Sequence, residues 1–157
     1  MASKIYQGFT LVELLVVIAI LAILATLGVT NFQSARIKAR DLARKSDLQT
    51  IAKSLETYVN DHRAYPNSSD SKILCQPTTG AVCDWGEAFT DGTTTYIITL
   101  PQENSSSLYY RYESVSGANY TLYAHLENPN DPNLITLTGI SCGALDCNYK
   151  LTSSNIP

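Results

Sequence analysis

The sequence lacks a glycine-rich phosphate loop and any local grouping of Ser, His and Asp, or of Cys and His, that would indicate nucleophilic catalysis. We therefore predict that this protein is not an enzyme. Basic residues are not in excess, with 11 Lys and Arg against 14 Asp and Glu. In the globular part the basic residues Lys72, Arg111 and Lys150 are scattered. No specific nucleic-acid partner is predicted, because the globular part lacks an obvious basic patch.

Proline, which interrupts helices, is absent between Phe9 and Tyr65. Apolar residues in the second half of this stretch fall at helical spacing on one stripe: Leu48, Ile51, Ala52, Leu55, Tyr58 and Val59. We predict one continuous helix that ends near Asp61 and is roughly 80 Å long at about 1.5 Å per residue.

The first part of this helix is an apolar run at residues 9–29, interrupted only by Thr10, Glu13, Thr26 and Gly28. As a helix it would extend for roughly 31 Å, which is one bilayer crossing. A carboxylate inside a membrane helix costs up to about 3 kcal/mol, so such a residue usually has a partner or a function. Glu13 is therefore expected to meet a cation.

Lys4, the motif Gly8-Phe9-Thr10-Leu11-Val12-Glu13-Leu14 and the apolar run resemble the class III leader and N-terminal helix of type IV pilins and pseudopilins. The resemblance implies cleavage by a prepilin peptidase after Gly8 and methylation of the new amino terminus at Phe9. It also implies that Glu13 pairs with the amino terminus of a neighbouring subunit during assembly, which would compensate the buried charge. An ordinary secretory signal, cut within the run, is the alternative.

The resemblance covers about residues 4–66 and is strongest to major type II secretion pseudopilins and small pilins. It implies an α+β fold in which a long N-terminal helix, transmembrane in its first half, packs on a small antiparallel β-sheet. The expected parts are a leader at 1–8, a transmembrane and assembly segment at 9–29, an amphipathic helical half at 30–61, and a head of loop and sheet at 62–157. The implied function is that of a structural filament subunit. The alternatives are a periplasmic pseudopilus subunit and a membrane-tethered binding module.

The resemblance also implies the partners: copies of the chain itself, the prepilin peptidase, an inner-membrane assembly platform, and membrane lipid before assembly. The implied location is the cytoplasmic membrane, crossed once with the C-terminal domain outside, and then a periplasmic or extracellular filament. Charge alone predicts the opposite orientation, because basic residues follow the apolar run. We give more weight to the leader, which must face the cytoplasm for processing, and to the four cysteines, which fit an exported domain.

The head is predicted to begin with a long loop at 62–107, with a short strand near 94–100. A hairpin follows, formed by strands 108–115 and 120–127 around Ser116-Gly117-Ala118-Asn119. In its second strand one face is apolar and is expected to lie against the helix: Tyr120, Leu122, Ala124 and Leu126. Residues 134–140 are predicted to form a third strand.

The cysteines lie as two close pairs, Cys75 with Cys83 and Cys142 with Cys147, although four cysteines permit three pairings. We expect local pairing, because closing two short loops would stabilise a small domain rich in turns. Zinc binding is the alternative, but neither spacing is Cys-x-x-Cys, and His62 and His125 are distant in sequence.

Major secretion pseudopilins commonly hold a calcium ion in a late loop of the sheet. The resemblance therefore implies a calcium site in the segment 127–133, with Glu127, Asn130 and Asp131 as oxygen ligands. The two prolines and three asparagines of this segment suit an ordinary connecting loop equally well. No other cofactor is predicted.

Overall fold

The structure, a computed structural model, describes residues 8–76 and 78–153, without the side chains of residues 25–31. The predicted leader therefore lies outside the described residues, except for Gly8. The chain divides into two compact units, Met1–Lys38 and Ala39–Pro157.

One helix, α1, extends over Leu11–His62 and confirms the continuous helix predicted from the sequence. It ends one residue beyond the predicted Asp61. At that point Arg63 adopts a φ of 61° while its N–H donates to the Val59 carbonyl at 2.8 Å. A residue with positive φ is a common way to end a helix, because it turns the chain away from the helix axis.

The sequence predicts a membrane crossing at residues 9–29. Among the residues that the structure describes, no helix has a stretch that is both long enough and apolar enough to cross a membrane.

The described part of the head contains short antiparallel strands in three sheets, which confirms the α+β class. The first sheet contains β1 (Ser68–Ser69), β2 (Lys72–Gln76) and β3 (Ala81–Cys83) in that order. The second pairs β4 (Phe89–Thr90) with β5 (Thr95–Ile97). The third has the order β6 (Arg111–Glu113), β7 (Thr121–Ala124) and β8 (Tyr149–Thr152).

The expected long loop at 62–107 is wrong, because strands β1 to β5 lie within it. These strands are two to five residues long, which is too short to show an alternating pattern in the sequence. The Cys75–Cys83 disulfide joins β2 to β3. The strand expected near 94–100 is present as β5 and is shorter than predicted.

The predicted hairpin is confirmed, with Tyr112 of β6 opposite Leu122 of β7. The predicted third strand at 134–140 is wrong, since β8 occupies the place beside β7. The chain reverses direction between Ser141 and Asp146, which form an isolated antiparallel bridge. The strand β8, which follows this reversal, therefore pairs with β7, whereas residues 134–140, which precede it, do not.

The core forms between the apolar stripe of α1 and the sheets. Leu48, Ile51 and Leu55 are fully buried in one cluster with Tyr112 and Leu122. This burial confirms the predicted stripe. The alternation along β7 predicts that Tyr123 lies on its outer face, opposite to Leu122, yet Tyr123 is only 8 % exposed, because the Cys142–Cys147 disulfide packs on it.

Replacing Leu55 by Ala should lower the free energy of unfolding by about 3 kcal/mol, because it leaves a cavity at a fully buried position. Leu42→Ala is the matched control, since Leu42 lies on the same helix and is 66 % exposed. Denaturant unfolding of both variants measures the difference. Equal losses in the two would show that the stripe is not the core.

Candidate functional site

The predicted processing site lies immediately before α1. Gly8 and Phe9 are outside regular secondary structure, and Phe9 is 85 % exposed. A peptidase needs an exposed, irregular segment of this kind, because a helical backbone does not fit in an extended binding cleft. Cleavage after Gly8 and methylation of Phe9 stay predictions.

Glu13 forms the cap at the start of α1 together with Thr10. The Glu13 carboxylate oxygen Oε2 accepts the Thr10 backbone N–H at 2.9 Å and its hydroxyl at 2.8 Å, and the Glu13 N–H lies 3.3 Å from the same hydroxyl oxygen. This reciprocal arrangement is a capping box, which satisfies backbone donors that a helix start leaves unpaired. The Thr-x-x-Glu spacing is the sequence signature of this cap, which was not among the roles predicted for Glu13.

A buried charge cluster surrounds Arg44 in the second part of α1; we call it the Arg44 cluster. It comprises Arg40, Asp41, Arg44, Glu103 and Glu127. The Arg44 guanidinium donates to Asp41 at 2.8 Å, to both oxygens of Glu103 at 2.8–3.1 Å and to Glu127 at 2.7 Å. The side chains of Arg44, Asp41 and Glu103 are only 4 %, 2 % and 7 % exposed. These charges are tolerated in the interior because each has a partner.

The pKa values follow from these contacts. Hydrogen bonds from Arg40, and then from Arg44, lower the pKa of Glu127 from 4.5 to about 2, against the opposing effect of burial. Burial alone would lower the pKa of Arg44, but the hydrogen bonds to Glu103 and Glu127 outweigh it and raise that pKa. Both groups are therefore held in their charged forms.

The late loop at 127–133 is fixed to the helix by this cluster. Asp41 accepts the backbone N–H groups of Glu127 and Asn128 at 2.9 and 2.8 Å. Lys45, one residue after Arg44, donates to both carboxylate oxygens of Asp131 at 2.7 Å. One turn of α1 thus binds both ends of the loop.

The residues expected to bind calcium make other contacts in this arrangement, and the calcium site stays a prediction. Both carboxylates already bind cations of the helix, Glu127 through Arg40 and Arg44, and Asp131 through Lys45. Asn130 contacts Asn128 through its backbone N–H at 3.2 Å. Calcium takes six to eight oxygen ligands, and within the described ranges no group of three or more His, Cys, Asp or Glu is placed to hold a metal.

Both disulfides join cysteines that are close in sequence, Cys75–Cys83 and Cys142–Cys147. No cysteine is free to bind zinc. The two histidines have other contacts. His62 lies 2.8 Å from the Asp91 carboxylate, and the His125 ring lies 2.7 Å from the Asp146 carbonyl.

Arg44→Gln should lower the free energy of unfolding by about 3–5 kcal/mol, because it leaves the carboxylates of Asp41 and Glu103 buried without their cation. Lys38→Gln removes an exposed cation from the same helix and should change stability by less than about 0.5 kcal/mol. Denaturant unfolding measures both. A small loss in Arg44→Gln would contradict the structural role of the cluster.

Stability should also fall in acid. The pKa of Glu127 is lower in the folded chain than its ordinary 4.5, so the stabilisation is complete above about pH 4.5 and is lost as the pH falls towards about 2. Glu127→Gln should therefore reduce stability at pH 7 and flatten its pH dependence in that window. Glu87→Gln, at an exposed carboxylate, is the control. Unfolding curves at several pH values test this, and an unchanged slope in Glu127→Gln would contradict it.

Comparison with known proteins places these features in a family. Residues 3–29 match the family model of the prokaryotic N-terminal methylation motif. The type II secretion system core protein G of Aeromonas hydrophila is 33 % identical over 105 residues, which cover 66 % of this chain and 70 % of that protein. The core protein G of Pseudomonas aeruginosa is 37 % identical over 81 residues, covering 51 % of this chain and 57 % of that protein.

A pilus protein is also similar, over a shorter part of the chain. The type IV wide pilus major component PilA4 of Thermus thermophilus is 40 % identical over 67 residues, which cover 43 % of this chain and 51 % of that protein. This chain thus spans little more than half the length of the Pseudomonas and Thermus relatives. No solved structure gives a significant match. Because the methylation motif and the similarity to the Aeromonas protein occur together, the chain belongs to the type IV pilin-like family of pilins and pseudopilins.

Proposed function

We propose that this chain is a structural subunit of a type IV pilus-like filament, cleaved after Gly8, methylated at Phe9 and polymerised through its N-terminal helix. The observation that carries the proposal is the methylation motif at residues 3–29 in a chain similar to a major pilus component and to secretion core proteins. We assign no catalytic role, since these relatives are named as pilus and secretion components.

The apolar surface of the first part of α1 supports this proposal. The large apolar side chains described between Leu11 and Leu24 are 48–79 % exposed in the single chain. A continuous apolar surface of this extent needs a partner, because water contact is unfavourable along its whole length. We assign residues 9–29 to lipid of the cytoplasmic membrane before assembly and to copies of the chain afterwards.

The remaining parts follow from this assignment. Residues 1–8 would be the leader on the cytoplasmic side, where the prepilin peptidase acts, and residues 30–61 the amphipathic half of the helix. Residues 62–157 would form the head outside the membrane. An inner-membrane assembly platform would transfer the subunit from lipid to the filament.

Glu13 is suited to guide this transfer. Its oxygen Oε2 accepts both hydrogen bonds from Thr10, and Oε1 has no hydrogen bond within the described residues. One oxygen therefore keeps the helix capped while the other is open to a cation. Cleavage after Gly8 would create such a cation at the amino terminus of Phe9. We infer that Glu13 binds the Phe9 amino group of a neighbouring subunit.

A periplasmic pseudopilus is the second candidate, favoured by the Aeromonas relative, which is a secretion core protein and shares the longest match described above. Both candidates require the same processing and assembly. A pilus extends outside the cell, whereas a pseudopilus stays in the periplasm. Electron microscopy of the cell surface therefore distinguishes the two candidates. A membrane-tethered binding module would instead stay monomeric.

Two substitutions separate the charge of Glu13 from its capping role. Glu13→Gln keeps the cap, because Gln also closes a capping box, but removes the charge. Thr10→Ala removes the cap and keeps the charge. We expect Glu13→Gln to reduce the filament yield by about tenfold or more, since a hydrogen bond to a charged group is lost, and Thr10→Ala to have a small effect. Quantitative blotting of sheared filaments measures both, and the opposite order would reject the intermolecular pairing.

N-terminal mass spectrometry of the membrane fraction tests the processing itself. The expected species begins at a methylated Phe9. A chain that keeps Met1, or one that begins inside the apolar run, would reject the filament assignment as a whole.

A further inference from the structure

A cleft with a volume of about 250 Å³ opens beside the first hairpin and is lined by Asp70, Ser71, Lys72, Trp85 and Tyr109. It shares no residue with the Arg44 cluster. We propose that this aromatic cleft binds a neutral saccharide. The size suits a ligand of about one sugar ring, and small-molecule sites combine apolar walls with a few polar groups in this way.

The turn at the edge of the cleft contains one unusual residue. Asp70 and Ser71 connect β1 to β2 with φ values of 49° and 62°, and Ser69 pairs directly with Lys72. A two-residue turn with positive φ at both positions normally has Asn or Asp first and Gly second, so Ser71 is the strained residue here. The turn places the Asp70 carboxylate and the Ser71 hydroxyl at the cleft. The Tyr112 N–H holds the turn in place by donating to the Ser71 carbonyl at 2.9 Å.

Two aromatic side chains provide the apolar surface. Trp85 packs edge-on against Tyr110, with ring centroids 6.1 Å apart at 88°, so its indole is held in a fixed position. Tyr109 is 40 % exposed, whereas its neighbour Tyr110 is buried. Rigid aromatic side chains bind the C–H faces of sugars by stacking, while their N–H or O–H groups contact the hydroxyls.

The polar groups of the cleft include both hydrogen-bond donors and hydrogen-bond acceptors. The Asp70 carboxylate, the Tyr109 hydroxyl and the Trp85 indole N–H have no hydrogen-bond partner within residues 8–76 and 78–153. Lys72 adds a cation, which Asp84 partly neutralises at 2.6 Å. Sugar hydroxyls both donate and accept, so they match this mixed set. A neutral polyol can donate to the Asp70 carboxylate and accept from Lys72 and the Trp85 indole N–H, whereas a ligand with one net charge would meet a like charge in the cleft.

Repeated copies of a weak binding site bind a multivalent surface more tightly than one copy does. If the chain forms the proposed filament, many copies of the cleft would lie along it, and binding to a surface with many glycans would be strengthened by avidity. That consequence rests on the proposed function, whereas binding by the single chain does not.

Trp85 is the one tryptophan of the sequence, so its fluorescence reports on the cleft directly. The full chain is kept unassembled in a polyoxyethylene detergent, which carries no sugar. It is titrated separately with galactose, glucose, N-acetylglucosamine, choline chloride and inorganic phosphate. We expect a saturable change with at least one of the sugars, with a dissociation constant on the order of 1 mM, and none with choline or phosphate.

Two variants test the geometry. The double substitution Asp70→Asn and Ser71→Gly installs the residues that the turn prefers, so it should fold at least as well as the natural chain. Its affinity for the sugar should fall about tenfold, because the charged acceptor is lost. Tyr109→Ser should weaken binding by a similar factor of about ten. Ile98→Ser, at an 83 % exposed position outside the cleft, is the control and should bind normally.

Three results would overturn the proposal. The first is the absence of a saturable response to every sugar. The second is saturation by choline or phosphate instead. The third is unchanged sugar binding in the turn variant. Because these titrations use the unassembled chain, failure to form filaments leaves their outcome unaffected.

Discussion

Burial of one apolar stripe of α1 under the tyrosine-rich sheets is the interaction on which the rest of the head depends. Leu48, Ile51 and Leu55 lose all contact with water, and the strands that cover them are too short to be stable alone. The helix therefore acts as the scaffold of the head. Once it is placed, the sheets are held at fixed positions along its length.

The Arg44 cluster holds a proline-containing loop against the helix. A buried charge is costly when it is alone, and it becomes acceptable only when every partner is in place. Here Arg44 satisfies three carboxylates while Asp41 accepts two backbone N–H groups of the loop. The resulting arrangement depends on all its members, and the acid-sensitive Glu127 joins the loop to the helix.

The first turn of α1 and the head carry different chemistry. The first turn of α1 combines an exposed apolar surface with the capped carboxylate of Glu13, which suits assembly with other copies. The aromatic cleft lies among the short strands and presents polar groups of both signs, which suits recognition of a small neutral ligand. In the proposed filament, the head could vary without a change in the assembly surface, since the head fold depends on a separate apolar stripe.

The sequence predicted the long helix, its buried stripe, the central hairpin and the resemblance to pilins, because each of these is encoded by residues close together in the chain. Periodicity reveals a helix of many turns, and the spacing of Tyr120, Leu122, Ala124 and Leu126 reveals one face of a strand. The capping box of Thr10 and Glu13 is likewise encoded locally, by the Thr-x-x-Glu spacing.

Only the tertiary structure decided which segment pairs with β7, which carboxylates meet Arg44, and that Asp70 and Trp85 line one cleft. Strands of two to five residues carry no readable period, so β1 to β4 were predicted as a loop. Contacts such as Arg44 with Glu103 join residues that are 59 positions apart, and nothing local marks them. Local patterns determine which elements form because backbone hydrogen bonding and periodic burial act over short ranges, whereas the partners of a buried charge are set by how those elements pack.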